Sequence, residues 1–256
     1  MLAIYKKELR SYFINPIGYV YAGIFLVFAA LASAYTTLLS SSYDTSVYFT
    51  LLVYAFIILI PLITMRLFSE EKKLKTEQLL LTAPVSLTGM VMGKYLAALT
   101  VFGGTMIVSL VNFIPLYVYG AIERSQQNYT TVPVGPVTSE LLGCFIAALL
   151  LGAALIAIGM FVSSLTENQL SAAVITVAVI AFLVLINLLS GVTDGNGQQL
   201  ISSYGVRAVL GWISVLDRFS HFSQGYFDWA ALVYYLSIGF VFCFLTVRVY
   251  ERRRWN

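Results

Sequence analysis

Six long stretches of this chain contain no Asp, Glu, Lys or Arg. They fall at about 17–39, 46–65, 95–119, 141–163, 169–189 and 229–247, and consist mostly of Leu, Ile, Val, Phe, Ala, Gly and Tyr. Uncharged runs of roughly 20 residues match the hydrocarbon thickness of a bilayer. The apolar positions are continuous and do not alternate every second residue, so they predict membrane-spanning helices and not a barrel.

The segments between the spans have patterns of their own. In 1–16, Leu2, Tyr5, Leu9, Tyr12 and Phe13 recur at helical spacing, while Lys6, Lys7 and Arg10 fall on the other side. This predicts a helix lying in the membrane interface, with those cations toward anionic headgroups, ended by "NP" at 15–16. Residues 66–94 open with "RLFSEEKKLKTEQLLLTAPVS", which predicts an amphipathic helix over about 66–82, ended by Pro84. Glu71 with Lys75 and Glu70 with Lys73 have the spacing of intrahelical ion pairs. After the turn-rich "SGVTDGNGQQ", Val206, Val209, Leu210, Ile213 and Leu216 predict an external helix within 190–228, too short to span. The whole reads as one all-α polytopic membrane domain over 1–256.

Composition agrees. Of 256 residues, 59% are hydrophobic and 11% charged, against the roughly 25% charged of soluble domains. A net charge of +3 gives no reason to expect nucleic acid as a partner. Cys144 and Cys243 lie in different spans, toward opposite faces, so no disulfide between them is expected.

The basic residues set an orientation. Segments 1–16, 66–94, 164–168 and 248–256 carry Lys6, Lys7, Arg10, Arg66, Lys72, Lys73, Lys75, Lys94, Arg248, Arg252, Arg253 and Arg254. The alternate connections carry Arg124, Arg207 and Arg218 only, and the acids divide evenly. The asymmetry predicts both termini in the cytoplasm of a plasma membrane. Residues 1–34 superficially resemble a cleavable leader ending in "ASA", but Glu8, Pro16 and apolar continuity to Leu39 argue for an uncleaved span.

Candidate chemistry is sparse. His221 is the single histidine, which excludes an HExxH pair, and reads as an interfacial polar residue. "GMVMGKY" at 89–95 has three residues between its glycines and Tyr95 after the lysine, so it is no phosphate loop. Met90 and Met92 read as packing. The spans hold amides, Asn112 and Asn187, but no carboxylate or histidine for an ion relay. No catalytic, metal or cofactor residue is expected in this chain.

The stretch "PLITMRLFSEEKKLKTEQLLLTAPVS", followed by "GKY", closely resembles the second-to-third-span segment of ABC-2-type transporter permeases, particularly the gliding-motility group. Thr64, Met65, Arg66, Phe68, Glu70, Glu71, Lys72, Thr76, Leu79, Leu80, Leu81, Thr82, Pro84, Val85, Ser86, Gly93, Lys94 and Tyr95 match, whereas Gln78 stands where that group has Glu. "YKKELRSYFINPIGYV" and "FSHFSQGYFD" also resemble it, so the likeness spans the chain.

The resemblance implies a type V exporter-like fold: six spans, an interfacial helix at Lys6, Lys7 and Arg10, a cytoplasmic coupling helix, and an external helix before the last span. It implies a bacterial permease subunit, in a homo- or heterodimer with a second permease copy or a related permease. A separate ABC ATPase, using ATP and Mg, would dock on Arg66, Phe68, Glu70, Glu71, Lys72, Thr76, Glu77, Leu80, Thr82 and Pro84. Spans two and five line the path in similar proteins, which makes Tyr48, Tyr54 and Asn187 path candidates. The rival readings are a membrane scaffold or assembly factor without transport, and a self-contained carrier or channel, which the uncharged spans disfavour.

Overall fold

The computed structural model describes residues 1–40, 42–78, 86–126, 135–191, 211, 214–223 and 228–255. Among these every regular element is a helix. In chain order they are α1 (Leu2–Ile14), α2 (Pro16–Ser33, continued by a π-helical turn Ala34–Leu39), α3 (Ser46–Thr64), α4 (Ser69–Lys73), and α5 (Leu87–Ser109). Then follow α6 (Ile114–Gln126), α7 (Thr138–Leu165), α8 (Gln169–Gly191), α9 (Asp217–Ser223) and α10 (Trp229–Trp255). A 3₁₀ turn at Leu110–Phe113 joins α5 to α6.

Among the described residues six helices are long and apolar enough to cross a membrane: Pro16–Thr37, Ser46–Lys73, Leu87–Ser125, Thr138–Leu165, Gln169–Leu188 and Trp229–Arg254. This is a multi-pass membrane protein. The third span begins earlier than its uncharged run. Ser86 caps α5 by accepting from the Gly89 N–H at 3.3 Å, so the helix takes in Lys94, which sequence reading leaves in the loop. Pro16 opens α2 after an extended Asn15, the conformation a residue before proline prefers.

Burial orders the spans. The fraction of buried positions is 61% in α3 and in α7 but 22% in α8. The first two therefore form the centre, with α8 and α10 packed against α7 and α2 against α3. Small residues on α7 permit this closeness, as they do wherever helices meet without a hydrophobic drive from water. A Cβ on Gly159 would come within 2.9 Å of Thr64 Cβ on α3, and one on Gly152 would run into the Phe102 ring on α5. Aromatic rings fill the remaining interior: Phe102 meets Phe56 edge-on at 5.3 Å and Phe25 at 6.3 Å between centroids.

Outside the spans, α1 is a helix packed on α5, with Ile4 beside Gly93 and with Lys6, Lys7 and Arg10 exposed. The expected external helix over 206–216 lies almost wholly outside the described residues. What is described there is α9, which lies against α7.

Candidate functional site

The charged stretch after α3 starts with a tight turn, and a serine on another span holds it. Ser163, fully buried near the end of α7, accepts from the Phe68 and Ser69 backbone N–H groups at 3.2 Å each. Its own hydroxyl donates to the Met65 carbonyl at 3.2 Å. One side chain thus satisfies three backbone groups that a helix interruption leaves open. The turn drives Phe68 inward, against Tyr250 of α10 at 4.8 Å between centroids.

Helix α4 follows and ends after Lys73, so the expected continuous helix over 66–82 does not form. Lys75 is left-handed with φ 56, Thr76 N–H donates to Glu71 O at 2.9 Å, and Lys75 N–H donates to Lys72 O at 3.0 Å. These are the paired bonds of a Schellman motif, with lysine at the position usually given to glycine. The reversal turns the chain back toward the spans. Lys75, past the end of α4, no longer shares a face with Glu71, and Glu70 pairs with Arg66 in place of the expected Lys73.

The carboxylates find partners on other segments. Lys94 is 1% exposed, and its three ammonium hydrogens meet Glu71 Oε1 at 2.8 Å, Glu8 Oε1 at 3.1 Å and Leu67 O at 2.7 Å. A buried ammonium is tolerable only when paired and fully hydrogen-bonded, and this one is both. Its charge also lies over the Phe68 ring, 5.1 Å from the centroid. Lys7 adds a longer contact to Glu71 at 3.7 Å. The node joins α1, α4 and α5.

A second node lies beside it. Arg66, 6% exposed, reaches Glu70 through Nε at 2.9 Å and donates through Nη2 to Ser11 Oγ of α1 at 2.9 Å. Its guanidinium lies 5.3 Å from the Tyr12 ring centroid. Tyr12 OH donates to Ile63 O at 2.8 Å. Burial pushes the Tyr12 phenol well above its usual pKa, with the Arg66 charge opposing, so it stays a neutral donor.

Lys72 and Glu77 are engaged as well. Lys72 Nζ donates to the Ser164 and Thr166 carbonyls at the end of α7, and Glu77 pairs with Arg253 of α10 at 2.9 Å. Between α1 and α4 a cleft of about 430 Å³ remains, lined by Lys7, Glu8, Ser11, Arg66, Glu70, Glu71, Leu74, Thr76 and Lys94.

Placement therefore differs from expectation. Arg66, Glu70, Glu71, Lys72 and Glu77 come together at one end of the bundle, but they tie helices to one another and form no row of free outward charges. Phe68 is buried core and offers no surface. Thr76 is half-buried at the cleft, and Leu80, Thr82 and Pro84 lie outside the described residues. What does face outward is the tip of the reversal, Lys73, Leu74 and Lys75, with Leu74 64% exposed.

Sequence reading passes over Lys94, Glu8, Ser163 and Tyr250 as site residues. A lysine adjoining a long uncharged run and a lone acid in a basic segment are the signals that pair Lys94 with Glu8. The path candidates do not gather. Tyr48 is enclosed by Phe49 and Phe113 at 5.0 and 4.8 Å, Tyr54 is half-buried, and Asn187 donates to Ser214 Oγ and Asp217 Oδ1 near the far end of α8.

Residues 33–249 match the family model described as ABC-2 family transporter protein. The chain belongs to that family. No curated protein matches it at a significant level. As a member it is the membrane-spanning permease subunit of an ABC transporter, a transport subunit and not itself catalytic. The two nodes described above lie where the connection between its second and third spans meets α1 and the start of α5. The family match is broad and does not reach the gliding-motility subgroup.

Proposed function

We propose that this permease is the membrane half of an ATP-driven exporter, moved by a separate ABC ATPase that binds ATP and Mg. The ATPase docks beneath the α4 reversal, on the face carrying Lys73, Leu74 and Lys75, in the cytoplasm of a bacterial plasma membrane. The observation that supports this most directly is the Lys94 node. A push on α4 reaches Lys94 in α5 and Glu8 in α1 through contacts of 2.8 and 3.1 Å, with no slack between them. Helix α1, with Lys6, Lys7 and Arg10 outward, rests on the same face of the membrane and moves with the node. Two permeases, alike or related, enclose the substrate path between them.

The docking face is tested with the double variant Lys73→Glu, Leu74→Asp. Both side chains are exposed, so the melting temperature of the purified permease stays within error of wild type. Co-purification of the ATPase falls at least tenfold. Undiminished ATPase retention by this variant places the docking surface elsewhere. A scaffold without transport is separated from an exporter by nucleotide-dependent transport in proteoliposomes holding both subunits.

A further inference from the structure

A second concavity lies on the flank of the bundle. Phe161 and Ile158 of α7, Val179 and Leu183 of α8, and Tyr234 and Phe242 of α10 help to line a groove of about 280 Å³. Its walls are side chains of Ile, Val, Leu, Phe and Tyr throughout. All three helices are membrane spans, so the groove lies at bilayer depth. It follows α10 from Tyr234 to Phe242, roughly 12 Å at 1.5 Å per residue.

A cation lies beside Tyr234, one of the residues that line the groove. The Arg218 guanidinium lies over the Tyr234 ring, 4.0 Å from its centroid, at the end of the bundle opposite the Lys94 node. Its Nε is buried and has no hydrogen-bond partner. Among the described residues Arg218 forms no ion pair; the neighbouring Asp217 carboxylate accepts from Asn187 at 2.6 Å. A guanidinium with no carboxylate partner among the described residues, beside an apolar groove, calls for an anion attached to a chain. Stacking on Tyr234 holds the planar fork in place, which suits recognition of a phosphate.

We propose that the groove between α7, α8 and α10 holds an acyl chain of an anionic phospholipid whose phosphate sits against Arg218. The lipid belongs to the leaflet on the side of the α8–α10 connection. The site is independent of the ATPase contact and of transport direction.

Native mass spectrometry of the permease, released from nanodiscs of phosphatidylglycerol or of phosphatidylcholine, tests it. Wild type retains phosphatidylglycerol at least fivefold more than phosphatidylcholine, a comparison that needs no variant. Arg218→Gln reduces phosphatidylglycerol retention to the phosphatidylcholine level, and Ile238→Trp, which fills the groove, removes the bound lipid. Equal retention of the two lipids by wild type overturns the proposal, as does undiminished retention in either variant. A groove variant that keeps its lipid but dissociates permease dimers shows that a second copy covers this flank, and also overturns it.

Discussion

Lys94 is the residue on which the charged end depends, and its environment fixes what its loss does. Methionine keeps the length and the apolar stem but leaves the Glu8 and Glu71 carboxylates with only the exposed Lys7, at 3.9 and 3.7 Å, as a cation. Breaking a buried pair from one side is strongly destabilising, by about 3 kcal/mol. Lys94→Met is therefore expected to lower the melting temperature of the detergent-solubilised permease markedly. Adding Glu8→Gln and Glu71→Gln removes the stranded charges and recovers part of the loss. The recovery measures coupling between the three residues, as contacting groups require. A fall of equal size in the triple variant shows that pairing with Glu8 and Glu71 is not what Lys94 contributes.

At the scale of elements, α3 and α7 owe their closeness to glycine. Thr64 of α3 occupies the space a side chain at 159 would need. Gly159→Ala is expected to destabilise the permease by about 1–3 kcal/mol, the usual range for overpacking. Thr64→Ala in the same chain opens that space, so the double variant melts closer to wild type than Gly159→Ala does. Thermal unfolding of the three proteins checks this, and a double variant no better than the single one removes Thr64 as the obstacle. The α4 reversal is set in a similarly local way. A Schellman end at Lys75 outweighs the helix-forming run around it, because it lets Glu71 reach Lys94 and Glu77 reach Arg253.

For the whole molecule, the unequal distribution of Lys and Arg predicts which side of the membrane the α4 reversal faces. A cysteine introduced at Leu74, which is exposed, should resist a membrane-impermeant maleimide in intact cells and react once the membrane is opened. Cys144 and Cys243 are both buried and free, so they need not be removed for the experiment. Labelling at position 74 in intact cells inverts the orientation, and with it the side from which an ATPase can dock.

Sequence alone determined the spanning helices, their number and where the charge collects, because each follows from local hydropathy over some 20 residues. The family motif pointed in the same way to the connection after the second span. Which charges face outward was decided only by tertiary structure. Lys94 and Glu8 are 86 positions apart, and Ser163 stands 95 from the Phe68 N–H that it accepts from. Neutralising a buried ammonium and satisfying an interrupted backbone are requirements that distant segments meet together. No pattern within α4 could announce that its carboxylates would turn inward.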